Sequence, residues 1–368
     1  MDNALYIHIP FCRQKCNYCD FASFAGRDFL IDDYLSALAK EGEKIPFRQT
    51  QTLYVGGGTP SLLSIPQLSF LVQNISSCFG PVANFLESTF EANPESLTLE
   101  KLTLLKQAGF NRLSIGLQSF REEELKQLGR IHTVHQFEQA YTNARRCGFE
   151  NINVDLIAGL PGQTCINFSD SLRRLVALRP EHISVYGLQI EEGTKFFEQG
   201  IVCDQIRMRK MLEETHFLLE ENGYHHYEIS NFSLPSKEAI HNTHYWNNGD
   251  YTGLGSSSVS YQRGERFQNV CGVEEYIRRM RADETTVIFS EKLTGQAKVG
   301  ETLLLGLRKL DGIELTSLQQ HYFGREIEKH LEKGLLVKAD KKVKLSFEGL
   351  FLANEVFRSF VAPFEDNL

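Results

Sequence analysis

Short apolar runs alternate with amphipathic stretches from the start of the chain to about residue 230. The apolar runs have the length and the β-branched and aromatic content of strands, and the stretches between them have the periodicity of helices. The predicted strands are residues 5–9, 52–57, 86–92, 112–118, 151–159 and 182–189. The predicted helices are residues 32–45, 66–79, 99–110, 134–149 and 168–178. Six β/α units in succession predict an α/β fold with a parallel sheet, which is either doubly wound or curled into a barrel.

Residues 231–295 interrupt this alternation, because they are rich in Gly, Ser, Asn and aromatic residues. Their composition predicts an irregular connecting region, and its length is too great for a simple linker. From residue 296 onward helical patterns return, and residues 336–347 have the pattern of a two-stranded hairpin that turns at 339–341. We therefore predict a small α+β, winged-helix-like C-terminal domain. The predicted domains span residues 1–230, 231–295 and 296–368.

Composition narrows the class of protein only in part. The 368 residues carry a net charge of −8, which argues against nucleic acid or an anionic membrane as the main partner. The first residues have no secretory pattern, and no apolar run is long enough to span a bilayer. We therefore expect a cytoplasmic protein, where clustered cysteines more often bind metal or act in catalysis than form disulfides.

Residues that carry chemistry recur where the predicted strands end. The carboxyl ends of parallel strands meet at one edge of a sheet, and ligands of β/α folds bind at that edge. The cysteines follow the first strand and a glycine triplet follows the second. Polar side chains stand at or near the ends of the other four, namely Glu91, Gln118, Asp155 and Gln189. The pattern predicts one site at this rim.

Three of the eight cysteines, Cys12, Cys16 and Cys19, are spaced C-x3-C-x2-C. Structural zinc sites usually take four ligands in C-x2-C pairs, and no second pair occurs here. A thioredoxin-like redox pair would use Cys16 and Cys19 and leave the third thiol idle. An iron–sulfur cluster held by three cysteines, with one iron open to a ligand, is the favoured interpretation. A zinc-stabilised protein without redox chemistry stays an alternative.

The C-x3-C-x2-C motif with Tyr18 before its last cysteine resembles that of the radical S-adenosylmethionine (SAM) superfamily. Longer stretches resemble the oxygen-independent coproporphyrinogen III oxidases and the related heme chaperones of the HemW type. The matching stretches are YIHIPFC, GGGTPS, RLSIGLQS, LGRIHT, VDLIAGLPGQT, SVYGLQIEEGT, HNTHYW and GDYTGLG. They cover most of residues 5–260, and the resemblance implies a partial (β/α)6 barrel of the radical SAM type.

The resemblance also implies cofactors and their contacts. A 4Fe-4S cluster is expected on Cys12, Cys16 and Cys19, with SAM on its open iron. The residues expected to line SAM or to meet its methionine part are Tyr6, Tyr18, Gly57, Gly58 and Thr59. Those expected to bind its polar groups are Glu91, Gln118, Arg130 and Asp155, with Gln189 beside its adenine-ribose end.

Two departures separate the branches of this family. The oxidases carry a further cysteine two residues after the third, where this chain has Phe21, and a longer segment before the first strand. Both departures favour the heme-chaperone branch, which carries the motif H-N-x-x-Y-W. The resemblance makes its first histidine, His241, the candidate ligand of heme iron, and His244 is a nearby competitor. Ser256–Ser260 replace a stretch that commonly reads P-G-A-H-S in the family.

The expected function is that of a heme chaperone, which binds heme as cargo and passes it to an unidentified acceptor protein. An electron donor is expected as a further partner if SAM is cleaved. The main alternative is an oxygen-independent coproporphyrinogen III oxidase of porphyrin biosynthesis, and the zinc-stabilised protein is the second.

Overall fold

The computed structural model of the protein describes residues 3–45 and 50–363. Strands and helices alternate through its first half, as the hydrophobic pattern predicts. The strands are Asn3–Ile9 (β1), Phe11–Cys12 (β2), Phe24–Ala25 (β3), Thr50–Gly57 (β4), Glu87–Ala92 (β5), Arg112–Gln118 (β6), Ile152–Ala158 (β7) and His182–Gly187 (β8). The helices are Ile31–Lys44 (α1), Ile65–Phe79 (α2), Leu99–Ala108 (α3), Glu122–Gln127 (α4), Val134–Arg146 (α5), Cys165–Leu178 (α6), Lys195–Glu198 (α7) and Gln205–Glu221 (α8).

The second half adds smaller elements. Its first part contains His225–Glu228 (β9), Asn231–Ser233 (β10), Ile240–Trp246 (α9), Tyr251–Leu254 (β11), Val259–Gln262 (β12), Glu265–Asn269 (β13), Val273–Arg281 (α10) and Val287–Lys292 (β14). Its last part, the C-terminal module, contains Gly295–Gly306 (α11), Ile313–Glu314 (β15), Ser317–Glu332 (α12), Leu336–Ala339 (β16), Lys342–Leu345 (β17), Phe347–Phe351 (α13) and Ala353–Arg358 (α14).

Within the described residues, twelve strands form one sheet in the order β14-β13-β12-β11-β1-β4-β5-β6-β7-β8-β10-β9. All pairs from β1 through β8 in this order are parallel, and β11 is parallel to β1. The remaining neighbours pair in the antiparallel sense. Six parallel β/α units make up the partial (β/α)6 barrel of the radical SAM type.

The two faces of the parallel strands differ in polarity. On the outer face, apolar side chains such as Leu53, Val55 and Val154 are buried against the helices in one large core. On the inner face, polar residues alternate with them, including Thr52, Ser114 and Asn153, and these are also buried. A buried polar side chain is the informative exception in a protein interior, and here one whole face of the sheet consists largely of them. The inner face is therefore built for polar contacts.

The prediction of an irregular region over 231–295 is wrong. The region contains five strands and two helices in the described chain, and it extends both edges of the sheet. Some of its glycines lie in turns, as Gly264 does between β12 and β13 with φ 83°, whereas others, such as Gly253, lie within a strand. Each of its strands has six residues or fewer, so none produces a long alternating pattern.

The C-terminal module has its own apolar core, around Leu303, Phe323 and Val356. The predicted hairpin is present as β16 and β17, but β15 pairs with β17, so the small sheet has three strands. The predicted two-stranded hairpin was incomplete because β15 is only two residues long. Residues 1–2, 46–49 and 364–368 of the predicted domains lie outside the described residues. No helix of the described chain could span a bilayer.

A buried carboxylate on α1 fastens β11 and β13 to the barrel. Both oxygens of Glu41 are used: they accept hydrogen bonds from the Gly255 amide (2.7 Å), the Asn269 amide group (2.6 Å) and the Tyr276 hydroxyl (2.6 Å). The same turn bonds to Tyr34, whose hydroxyl accepts from the Ser256 amide at 3.0 Å. The serine-rich stretch that departs from the family's pattern is thus held by α1.

We expect Glu41→Ala to lower the free energy of unfolding by about 3 kcal/mol or more, because three buried donors would lose their acceptor. Urea unfolding of purified protein measures this. Glu43→Ala, at an exposed position of the same helix, is the matched control and should stay within about 0.5 kcal/mol. Equal effects of the two substitutions would show that Glu41 does not fasten this region.

Candidate functional site

The cysteine loop lies at the carboxyl end of β1, between β2 and β3. Cys12 is buried, whereas Cys16 and Cys19 are partly exposed. The loop is fastened to the neighbouring rim at Asn17, whose amide donates to the Leu128 carbonyl and whose carbonyl accepts from the Phe196 amide, both at 2.9 Å. The loop therefore has a defined position beside the ends of the strands.

All three thiols have hydrogen-bond donors, and those of Cys19 are the backbone of Phe21 and the side chain of Ser23. The Thr59 hydroxyl donates to Cys12 Sγ at 3.4 Å, and Nη1 of Arg130 donates to Cys16 Sγ at 3.7 Å. Burial raises the pKa of Cys12 and of Cys19, and the nearby Cys16 thiol raises both further. With raised pKa values, these thiols stay protonated unless a positive centre binds them. A cationic cofactor bound by the loop would hold them as thiolates.

No three Cys, His, Asp or Glu side chains in residues 3–45 and 50–363 are arranged to hold a single metal ion. A single zinc ion needs its ligands to converge on one point, whereas the cysteines of an iron–sulfur cluster bind different irons. Three cysteines in one loop, with hydrogen bonds to the sulfurs of Cys12 and Cys16, fit the donor set of a cluster.

The glycine triplet turns the chain from β4 back across β1. Gly57 has φ +115°, and a Cβ there would lie 2.4 Å from Nδ1 of His8. A Cβ on Gly58 would lie 2.7 Å from the Phe11 carbonyl oxygen. The amides of Gly58 and Thr59 donate to the carbonyls of Ile9 and Phe11 at 2.9 and 2.8 Å. Glycine is required here by the close contact with β1.

Glu91 is the acceptor around which this loop and the inner face meet. Its carboxylate accepts from the Tyr54 hydroxyl at 2.5 Å and from the Gly57 amide at 3.0 Å. Tyr6, on the neighbouring strand, lies beside Tyr54 with ring centroids 6.1 Å apart, and its hydroxyl bonds to His8 at 2.9 Å. Burial raises the pKa of Glu91, and the bonds from Tyr54 and Gly57 oppose that rise.

Asp155 is the second carboxylate of the inner face, and like Glu91 it is partly buried. It accepts from the Asn153 amide group at 2.7 Å, and Asn153 also donates to Ser114 at 2.9 Å. Burial raises the pKa of Asp155, and Arg112 and Arg130 oppose the rise. Two partly buried carboxyl groups with raised pKa values therefore face one interior, which favours a cationic ligand.

Arg130 is held by three acceptors. Its Nη2 donates to the Asn93 side chain at 2.7 Å and to the Gly116 carbonyl at 2.8 Å, and its Nε donates to Nδ1 of His132 at 3.4 Å. His132 donates from Nε2 to the Leu117 carbonyl, and burial lowers its pKa to about 3, so it is a neutral acceptor. The guanidinium is thereby aimed at the cysteine loop.

Gln118, Tyr18 and Gln189 complete the predicted set, with different results. Gln118 ends β6 with φ 73°, and its Nε2 lies 2.8 Å from where a Cβ of Gly116 would stand, so it belongs to the site. Tyr18 packs against an apolar cluster at the rim that includes Phe196. Gln189 lies two residues beyond the end of β8, and its side chain is exposed. Gln189 thus follows a strand end at the same rim, but its side chain faces solvent.

His241 lies in the interior, on α9. It is 1% exposed, its Nδ1 bonds to the Thr52 hydroxyl at 2.8 Å, and its Nε2 bonds to the Tyr245 hydroxyl at 2.7 Å. Its ring lies 5.2 Å from that of Tyr54, and burial lowers its pKa to about 3. The imidazole is neutral, as a metal ligand must be, but both of its nitrogens are engaged.

His244 is on the next turn of the same helix. Its Nε2 donates to the Asp250 carbonyl at 2.7 Å. In the part of the chain that the structure describes, its Nδ1 has no hydrogen-bond partner. Of the two histidines, His244 has the more accessible nitrogen and His241 lies closer to the inner face.

The chain is similar to known proteins along nearly its whole length. The family model of the radical SAM superfamily matches residues 6–175. The heme chaperone HemW of Bacillus subtilis (strain 168) is 37% identical over 97% of this chain and 98% of its own. The heme chaperone HemW of Escherichia coli (strain K12) is 40% identical over 68% of each chain. The chain belongs to the radical SAM superfamily and, within it, to the family of the HemW heme chaperones.

Among solved structures, the chain is similar to the coproporphyrinogen III oxidase HemN from Escherichia coli, described as a radical SAM enzyme. The TM-score is 0.85 at 25% identity, and the match covers 98% of this chain and 90% of the other. The fold thus extends over the C-terminal module as well as the barrel. Membership of the superfamily implies a 4Fe-4S cluster and SAM.

Sequence patterns did not single out Arg112 or Tyr54. Arg112 is 2% exposed, its charge acts on both Glu91 and Asp155, and its Nε has no hydrogen-bond partner in the described chain. The available signal was alternation: both residues occupy inward positions of strands whose outward positions are apolar. A charged residue at such a position is expected to serve the interior.

We expect Gly57→Ala to destabilise the protein by about 3 kcal/mol or more, because it adds a clash with His8 to a backbone conformation that side chains avoid. Gly80→Ala is the matched control, since its φ is +91° and nothing lies within 4 Å of the added Cβ. Strain alone should cost the control about 1–2 kcal/mol. Chemical denaturation measures both, and equal losses would contradict the clash.

Proposed function

We propose that this protein is a 4Fe-4S, SAM-binding heme chaperone, which binds heme and transfers it to an acceptor protein. The observation that carries the proposal is the similarity to heme chaperones along nearly the whole chain. Phe21 supports it, because this residue stands where the oxidases have a further cysteine and is 65% exposed beside the cysteine loop.

We propose that Cys12, Cys16 and Cys19 hold the cluster. When bound, the cluster supplies the open iron and the electron that the superfamily uses on SAM. The chain's own part is to hold the loop at Asn17 and to place donors on the sulfurs. A charged donor such as Arg130 stabilises a thiolate more than a neutral donor does.

We propose that SAM lies across the rim between the cysteine loop and the inner face. Gly57, Gly58 and Thr59 would present backbone to its methionine part, and Tyr6 and Tyr18 would line it. Glu91, Gln118, Arg130 and Asp155 would bind its polar groups. Gln189 would reach its adenine-ribose end only by turning inward from its exposed position.

SAM binding should release protons, because its positive charge favours the ionised form of two carboxyl groups whose pKa values burial raises. Its affinity should rise as the pH increases from the usual carboxyl range through these raised pKa values. Calorimetry of anaerobically reconstituted protein, in buffers with different ionisation enthalpies, counts the protons.

Glu91→Gln should reduce the proton release, whereas Glu100→Gln, at an exposed position, should leave it unchanged. Binding heat that does not depend on the buffer, together with an affinity that does not depend on pH, would contradict the placement of SAM at these carboxyl groups.

We propose His241 as the ligand of heme iron, with a rearrangement. Its Nε2 can reach iron only after the Tyr245 hydroxyl moves away, and its Nδ1 bond to Thr52 would then orient the ring as partners of metal-bound histidines do. His244 is the competing candidate ligand, because its Nδ1 has no hydrogen-bond partner in the described chain. The same short helix therefore carries two nitrogen donors beside the inner face.

The partners follow from the same proposal. An acceptor protein must take the heme, and an electron donor must reach the cluster if SAM is cleaved. We place the protein in the cytoplasm, where eight unpaired cysteines are the ordinary state.

A second candidate function is coproporphyrinogen III oxidation, and the high structural similarity to the oxidase favours it.

Heme titration of the anaerobically reconstituted protein, followed by absorption, tests the proposal. Wild type should bind heme stoichiometrically, His241→Ala should lose binding, and His244→Ala should keep it. Tyr245→Phe should tighten binding about 2- to 10-fold, because heme iron would no longer compete with a hydrogen bond for Nε2.

The unfolding midpoint of each variant provides the control for folding, and added imidazole should restore the heme absorption of a folded His241→Ala. Loss of binding in His244→Ala alone would move the ligand to His244. No stoichiometric binding by wild type would overturn the chaperone proposal. Conversion of coproporphyrinogen to protoporphyrinogen, detected by mass spectrometry with SAM and a reductant, would establish the second candidate instead.

A further inference from the structure

An arginine of the C-terminal module lies against α9 without a matching acceptor. Arg308 follows α11, and its guanidinium lies 4.3 Å from the centre of the Trp246 ring. In residues 3–45 and 50–363 its side chain makes no hydrogen bond, and its Nε is buried. Burial lowers the pKa of Arg308, so the protein only partly compensates the charge.

The nearest carboxylate does not accept a hydrogen bond from Arg308. Glu228 Oε2 lies 3.9 Å from Arg308 Nη2, which is too far for a hydrogen bond. The other oxygen of Glu228 already accepts from the Ser230 amide, at 3.2 Å, and from the Asn231 side chain. A guanidinium has five N–H donors in a planar fork that suits a carboxylate. The N–H donors of Arg308 can therefore bond to an added acceptor.

Two further groups face the same place. The indole Nε1–H of Trp246 is buried without a hydrogen-bond partner in the described chain. The phenol of Tyr186, on the inner face of β8, lies within electrostatic range of Arg308 and is 43% exposed. A buried donor without an acceptor is costly. Glu228 Oε2 also lacks a partner in the described chain, but it lies 3.9 Å from Arg308 Nη2 and out of hydrogen-bond range, so the unpaired donors point to an added acceptor.

We propose that Arg308 and Trp246 form a carboxylate-binding site that takes a propionate group of the heme. This rests on the proposed function, and it assigns the ligand's acidic edge to a defined place. Glu228 limits the charge that fits there, so a singly charged carboxylate suits the site better than a doubly charged phosphate. Trp246 binds through its N–H while its ring supports the guanidinium.

The position on α9 suits this ligand. Trp246 stands five residues after His241, which is about 7.5 Å along a helix axis. The two side chains leave the helix about 140° apart, so a tetrapyrrole bound through iron near His241 or His244 would extend its acidic edge across the end of α9 toward Arg308. The C-terminal module then contributes directly to cargo binding.

Heme and heme dimethyl ester, whose propionates are uncharged, distinguish this site. Wild type should bind heme about 10- to 100-fold more tightly than the ester, the range for one charge-assisted pair. Arg308→Gln should lose that preference by weakening heme and leaving the ester unchanged. Trp246→Phe, which keeps an aromatic ring but lacks the N–H, should lose part of the preference for heme. Arg308→Lys should keep part of that preference. Arg325→Gln, at an exposed position on α12, is the matched control.

Unfolding midpoints separate binding from folding, and the ester provides an internal control because a misfolded variant would lose both ligands. A wild type that binds heme and its ester equally would overturn the site while leaving the chaperone proposal intact. An Arg308→Gln variant that keeps the full preference for heme would also overturn it. A wild type that binds neither ligand would overturn the proposed function on which the site rests.

Discussion

The structure depends on one constraint: the inner face of its parallel sheet is buried and polar at the same time. Each polar group removed from water must find a partner inside the protein, or it costs the fold about 1–3 kcal/mol. Neighbouring strands supply many of these partners, as the pairs Tyr54–Glu91 and Asn153–Ser114 show. Apolar side chains on the outer face provide the compensating burial against the helices. The outer face of these strands thus provides most of the apolar burial, and the inner face of the same strands carries the candidate site.

The same constraint explains where α9 lies. Glu87, at the start of β5, accepts the amides of Ile240 and His241, both at 2.9 Å, so a carboxylate of the sheet stabilises the positive end of the helix. His241 then satisfies the Thr52 hydroxyl. The interior thereby holds α9, and α9 carries Tyr245 and Trp246 into reach of the interior and of the C-terminal module. A helix that completes the polar lining becomes part of the candidate ligand site.

Sequence patterns predicted the parts of this arrangement that repeat. The six parallel strands and the cysteine motif were predictable because alternation and spacing are local properties. The engagement of both His241 nitrogens was not predicted: Tyr245 is one turn along the same helix, but Thr52 comes from a strand 189 residues away in the chain. The role of Arg308 depends on how the C-terminal module packs against α9, which no local pattern records. Two of the short strands of residues 231–295 pair with edge strands of the barrel, β11 with β1 and β10 with β8, and the first of these pairings joins segments far apart in the sequence.

The groups that the fold leaves without partners are the strongest argument for ligands inside it. Within the described chain, buried atoms of Arg112, Trp246 and Arg308 lack hydrogen bonds, and all three residues face the polar interior or its border. An interior chosen for stability alone would replace them with apolar side chains, which is often neutral or favourable. Tyr54 joins the two ends of this interior, because its hydroxyl bonds to Glu91 and its ring packs on His241. A change of charge at Glu91 therefore acts on a side chain that also packs on the candidate heme ligand, and the two proposed ligand sites share one physical connection.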